Sequence, residues 1–239
     1  MSGSQCCENP PTLNPGSGCD SVTEIGGLKA YVSGPPDAKL AVLLISDIFG
    51  YEAPLLRKLA DKVAAAGFYV VVPDFFHGDP YSPENLERPL PVWIQSHGTN
   101  KGFEEAKPVV AALKSKGITS LGAAGFCWGA KVVVELAKLD LVQSAVLLHP
   151  SLVTVDDMKE VKPPIAILGA EFDHISPPDL IKQFREVLLA RPNVNCFVKL
   201  FSGVSHGWAV RYDESDEKAV KSAEEAHRDM LEWFVQYLK

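Results

Sequence analysis

From residue 40 to residue 45 the chain reads Leu-Ala-Val-Leu-Leu-Ile, with no polar side chain among the six. A strand with one wet face alternates polar and apolar residues, so an unbroken apolar run describes a strand buried on both faces. Such strands belong to parallel sheets with helices above and below. Similar runs occupy Phe68 to Pro73, Ser144 to Leu148, Ile165 to Leu168 before Gly169-Ala170, and Asn195 to Leu200. Helical spacing fills the gaps: Leu55, Leu56, Leu59, Val63 and Ala66 recur on one face before Gly67, and Phe103 to Lys116 and Pro178 to Leu189 read as further helices. A closing amphipathic helix places Val220, Ala223, Leu231, Phe234 and Leu238 together. Strands alternating with helices, without an internal repeat, predict an α/β fold whose central sheet is mostly parallel and has helices on both faces.

The ends of this pattern set the expected organisation. Ser21 to Ile25 and Leu28 to Ser33 flank Gly26-Gly27, which reads as an antiparallel hairpin at one sheet edge. Residues 1–20 contain Pro10-Pro11 and Gly16-Ser17-Gly18 and read as an irregular tail with no role of its own. Residues 21–239 read as one domain, for which 46% hydrophobic residues supply a single core. Prolines, glycines and aromatics between 74 and 100 read as an irregular cap. A net charge of −7 gives no electrostatic reason to bind nucleic acid or an anionic membrane. The first residues lack a basic and an apolar region, so a cytoplasmic address is expected. Five cysteines are an odd number in a large chain and read as reduced thiols; Cys6, Cys7 and Cys19 have no histidine beside them and are not expected to bind metal. No Gly-x-Gly-x-x-Gly is present, and no cofactor or metal is expected.

One stretch carries chemistry. Gly125-Phe126-Cys127-Trp128-Gly129 follows a short strand-like segment from Thr119 to Ala124 and precedes a helix-like run from Lys131 to Leu139. A reactive side chain on a sharp strand-to-helix turn needs neighbours without bulk, which the two glycines provide. A free thiol has a pKa around 8.5, so Cys127 needs a base to act at neutral pH. His206, in a glycine-flanked segment after the last strand, is the natural candidate. Asp173, shortly after the penultimate strand, is placed to orient the imidazole. Nucleophile, acid, histidine is the chain order of α/β-hydrolases. His77, His97 and His149 read as pocket-lining, surface or catalytic residues and lack the spacing of a metal site.

Gly125-Phe126-Cys127-Trp128-Gly129, Asp173 and His206-Gly207-Trp208 together resemble the motifs of the dienelactone hydrolase family, α/β-hydrolases with a cysteine in place of serine. The resemblance spans roughly residue 27 to the end. It implies an α/β-hydrolase fold and a cofactor-free, esterase- or lactonase-like reaction on a small molecule, with Cys127 as nucleophile, His206 as base and Asp173 as its orienter, through an acyl-enzyme. The family's Glu-Ile-Phe-Gly-like turn appears here as Asp47-Ile48-Phe49-Gly50, which implies Asp47 as partner of the thiol, one methylene shorter than the family's glutamate. The same turn implies backbone donors for an oxyanion at Ile48 and Trp128.

The family holds a substrate carboxylate with arginines, one of them shortly after the catalytic histidine. Val210 stands four positions after His206, and Arg211 comes one place later. That shift is expected to turn Arg211 away and leave an apolar pocket of Phe49, Trp128, Trp208 and Val210 that favours neutral esters and lactones. Arg88 is the other arginine in a suitable loop. Two further functions remain: a small-ligand binding or receptor protein on a hydrolase scaffold, and an endo-1,3;1,4-β-glucanase, the name some similar plant proteins carry, for which Asp47 and Asp173 would be nominated.

Overall fold

The six residues from Leu40 to Ile45 divide between two cores: Ala41, Leu43 and Ile45 point into one, Leu40, Val42 and Leu44 into the other. This is the period of two of a strand with a hydrophobic layer on each side. The computed structural model describes residues 4–13 and 21–239. Its strands are β1 (Val22–Ile25), β2 (Leu28–Ser33), β3 (Leu40–Ile45), β4 (Tyr69–Pro73), β5 (Ser120–Phe126), β6 (Ser144–Leu148), β7 (Ile165–Phe172) and β8 (Cys196–Ser205). Its helices are α1 (Pro54–Ala65), α2 (Leu90–Ser96), α3 (Thr99–Ser115), α4 (Trp128–Lys138), α5 (Val155–Glu160), α6 (Pro178–Leu189) and α7 (Glu217–Tyr237).

The strands form one sheet in the order β1-β2-β4-β3-β5-β6-β7-β8. From β4 to β8 every neighbouring pair is parallel, while β1 and β2 add an antiparallel edge. Leu56 and Leu59 of α1 and Met230 and Phe234 of α7 cover one face; Leu113 of α3, Val132 of α4 and Phe184 of α6 cover the other. No helix among the described residues is long and apolar enough to cross a membrane.

Four features depart from the expected layout, and two of them position the site. Strands β7 and β8 run on to Phe172 and Ser205, so Asp173 and His206 each follow directly on a strand end. The stretch from 74 to 100 is not all irregular: α2 begins directly after Pro89 and carries Pro91 in its first turn, where a missing N–H costs nothing. Helix α5 is a short element held by a capping box between Thr154 and Asp157. Finally, Ser4–Cys7 form a 3-10 turn that packs on the protein, so the first 20 residues are not wholly irregular.

Candidate active site

Cys127 sits between β5 and α4 with φ 51° and ψ −109°, a left-handed conformation that costs a non-glycine residue energy. The flanking glycines explain how the turn is tolerated. A Cβ on Gly125 would lie 2.4 Å from the Gly129 carbonyl oxygen, and one on Gly129 would lie 2.2 Å from the Ile45 carbonyl oxygen. Strand, turn and helix therefore touch backbone to backbone, which aims Cys127 over the carboxyl end of the sheet. Trp128 is the first residue of α4, so its N–H has no carbonyl one turn back within the helix.

His206 and Asp173 meet at the same edge. His206 Nδ1 lies 2.8 Å from Asp173 Oδ2, with both side chains fully buried. Asp173 Oδ1 accepts from the backbone N–H groups of Ile175 and Ser176 at 2.8 and 3.0 Å, which fixes the carboxylate plane. The other ring nitrogen, Nε2, is buried without a hydrogen-bond partner among the described residues. A ring nitrogen of His206 and the sulfurs of Cys127 and Cys6 all lie within 4.8 Å of one another.

The electrostatics favour an ion pair. A hydrogen bond from Cys6, and then the charges of His206 and Arg211, hold the Cys127 thiol well below its ordinary range, although burial works against them. Burial also disfavours the His206 imidazolium, but the Cys127 thiolate and Asp173 outweigh it and raise that ring to about 9. Cys6 is pushed upward by its bond to Cys127 and by burial. The two shifts run in opposite directions across the 3.6 Å contact between the sulfurs.

Asp47 and Arg211 occupy places other than those expected. Instead of turning away, Arg211 is buried: Nε lies 3.2 Å from Asp47 Oδ2, and the guanidinium sits 5.2 Å above the Phe49 ring. Gly207 makes this possible, since its φ is +92° and a Cβ there would come 2.2 Å from Arg211 Nη2. Asp47 accepts from the Phe49 N–H at 3.0 Å and pairs with Arg211; the closest partners of the thiol are Cys6 and Ser151 Oγ, the latter at 3.5 Å. Burial raises the Asp47 carboxyl to about 6 although Arg211 pulls it down. Ile48 and Phe49 are buried beside it. The Trp128 ring does not wall the site: it donates to the His97 carbonyl at 2.8 Å and packs against Gly102 and Phe76. Trp208 and Val210 line an outer groove with His206 and Arg211. Arg88 pairs with both oxygens of Asp79 at 2.8 Å and lies outside this cluster.

Two neighbours of the thiol, Cys6 and Ser151, have no local signal, while His149 is one of the histidines that the sequence singles out. Cys6 comes from the 3-10 turn, which Gln5 pins by donating to the Phe172 carbonyl and accepting from the His174 N–H. Ser151 follows β6, and its N–H donates to the Cys127 carbonyl at 3.1 Å. His149 is wholly buried, stands edge-on to His206 and Trp208, and is held neutral by burial and by the charges of His206 and Arg211. Cys19 lies outside the described residues.

The sequence profile of the dienelactone hydrolase family matches residues 28–238. An endo-1,3;1,4-beta-D-glucanase of Zea mays is 47% identical over 197 residues, which cover 80% of this chain and 64% of that protein. A carboxymethylenebutenolidase homolog of Mus musculus is 32% identical over 220 residues, 90% of each chain. Among solved structures, a putative dienelactone hydrolase from Klebsiella pneumoniae superposes with a TM-score of 0.72 at 22% identity, covering 88% of this chain and 93% of its own, which shows the shared fold. With a profile match across nearly the whole sheet and a relative matching along nine-tenths of its length, this chain belongs to the dienelactone hydrolase family of the α/β-hydrolase superfamily.

Proposed function

We propose that this hydrolase cleaves small esters or lactones through a Cys127–His206–Asp173 triad and an acyl-enzyme. The observation that carries the reading is the strained cysteine turn facing a histidine held at 2.8 Å by a buried aspartate. The Cys127 thiolate attacks the carbonyl carbon, and the N–H groups of Ile48 and Trp128 receive the developing oxyanion. The His206 imidazolium gives its proton to the leaving alkoxide, leaving a thioester on Cys127. The neutral ring then takes a proton from water, whose oxygen attacks the thioester; the acid departs, and the proton returns the enzyme to its starting pair. A cytosolic setting, which keeps thiols reduced, suits this chemistry.

The glucanase name of the maize relative is the second reading. It requires two carboxyl groups free to flank a glycosidic bond, whereas Asp47 is engaged by Arg211 and Asp173 by His206. A binding role without turnover is the third. Mass spectrometry of protein quenched during hydrolysis of p-nitrophenyl butyrate separates them. The expected species carries one butyryl group on the Cys127 peptide, and mixed-linkage glucan incubated in parallel releases no new reducing ends. Ester turnover without that adduct, or glucan cleavage, overturns the reading.

The ion pair sets the pH dependence. His206 retains its proton below about pH 9 and loses it above, so kcat/KM for an alkyl ester is expected to fall on an alkaline limb centred near 9. A profile still rising through that limb counts against an imidazolium donor.

The buried orientation of Arg211 supports a preference for charged substrates, opposite to the one expected from the sequence. Its Nη1 donates to the carbonyls of Cys6 and Glu8, acceptors that a substrate carboxylate can replace when that segment lifts. An ester bearing a free carboxylate is expected to exceed its methyl ester in kcat/KM by about tenfold, or ~1.4 kcal/mol, with the difference lost in Arg211→Ala. Equal rates for the two esters in the parent protein rule out this role.

A further inference from the structure

Residues 5–8 bring a second thiol to the nucleophile from 121 positions away in sequence. The two sulfurs lie 3.6 Å apart in a buried site, about 1.5 Å beyond bonding distance. The segment that must close this gap is a short 3-10 turn anchored through Gln5 and through the Cys6 and Glu8 carbonyls, which accept from Arg211. None of these anchors is a sheet hydrogen bond, so the turn can move without breaking a strand.

The two thiols differ chemically. The Cys127 thiol, with the charges of His206 and Arg211 acting on it, is held well below its ordinary range, while the Cys6 thiol is pushed above its own. A thiolate is the form that attacks a peroxide oxygen, and a neighbouring thiol is what converts the resulting sulfenic acid into a disulfide before further oxidation. The other described cysteines are placed differently: Cys7 interacts with Tyr81, and Cys196 begins β8 with no thiol partner.

We propose that Cys6 and Cys127 form a reversible oxidation site, in which a hydroperoxide oxidises Cys127 and Cys6 closes a disulfide with it. In the first step the Cys127 sulfur attacks one peroxide oxygen, the O–O bond breaks, and alkoxide or hydroxide leaves and is protonated; Cys127 is now a sulfenic acid. Ser151 Oγ, 3.5 Å from the sulfur, is a hydrogen-bond partner for it. In the second step the Cys6 sulfur attacks the Cys127 sulfur, the S–O bond breaks, and the hydroxyl departs as water with the proton that Cys6 loses. Two equivalents of a monothiol, or one dithiol, reverse the link by exchange and are themselves oxidised. Resting on Cys127 as the hydrolytic nucleophile, the consequence is that oxidised protein hydrolyses no ester and reduced protein recovers.

The test treats the reduced full chain with one equivalent of hydrogen peroxide, alkylates the remaining thiols with N-ethylmaleimide and maps peptides without reduction. The expected product has lost two hydrogens and contains a peptide joining Cys6 to Cys127, which dithiothreitol separates. Under the same treatment Cys6→Ser gains oxygen at Cys127 and forms no such link. A parent protein that gains oxygen at Cys127 while Cys6 is still alkylated, or that links Cys6 to Cys7, overturns the proposal. The link is read by mass with no substrate present, so a chain that hydrolyses no ester still reports on it. Ester turnover with no link defeats this proposal alone.

Discussion

Cys127→Ala is expected to lower kcat/KM for an activated ester by at least ~10⁴-fold, the scale seen when a covalent nucleophile is removed and only binding and an oxyanion site remain. The fold should survive, because the change deletes one buried sulfur, a loss on the order of 1 kcal/mol, and leaves the β5–α4 backbone in place. His206→Ala should follow with at least ~100-fold, the contribution of one positioned acid-base group. Asp173 keeps its bonds from the N–H groups of Ile175 and Ser176 in that variant, so the carboxylate is not left without partners. Single-turnover kinetics and thermal melts on the same preparations read both quantities. If Cys127→Ala hydrolyses the ester at the parent's rate while melting normally, the triad is not the catalytic machinery.

Gly129→Ala is expected to be the most damaging single-methyl change near the site. The added carbon would stand 2.2 Å from the Ile45 carbonyl oxygen and 2.7 Å from both the Ile45 carbonyl carbon and the Ser46 oxygen. These are backbone atoms at the end of a central strand paired on both sides, so neither they nor α4 yields cheaply. A loss of about 3 kcal/mol or more follows, which for a chain of this size lowers Tm by roughly 6–12 °C. Gly78→Ala is the control. Its φ is +76° with nothing within 4 Å of the new Cβ, so it carries left-handed strain alone, about 1–2 kcal/mol. Equal melting temperatures for the two variants would mean that the close approach at Gly129 costs nothing.

The layer order of the fold is legible in sequence because unbroken apolar runs have one explanation, burial on both faces, and Leu40–Ile45 divides between the two cores as that explanation requires. The turn at Cys127 is legible because its glycines answer a local steric demand. The exact strand ends are not, since Gly169 and Gly203 read as breaks where β7 and β8 continue under tertiary packing. Pro89 and Pro91 likewise read as loop residues although they open α2. The direction of Arg211 depends on the space left by Gly207 and on Asp47, 164 positions earlier, so counting residues from His206 points the wrong way. Cys6 is the hardest to foresee: its anchors reach from Gln5 to residues 167 and 169 positions away, and nothing nearby in the chain announces them.

On the proposed mechanism, the seating of residues 5–8 beside Cys127 places a hidden equilibrium inside every measured affinity. Cys127 has no exposed surface and Cys6 lies against its sulfur, so on that mechanism ester is expected to bind the fraction of molecules in which residues 5–8 are lifted. The apparent constant is then the intrinsic one divided by that fraction, and kcat is untouched as long as lifting is fast. Shortening those residues, or fusing a tag ahead of them, shifts KM without altering any group that contacts substrate. The same fraction bounds how quickly any thiol reagent, drug-like electrophiles included, can find this cysteine.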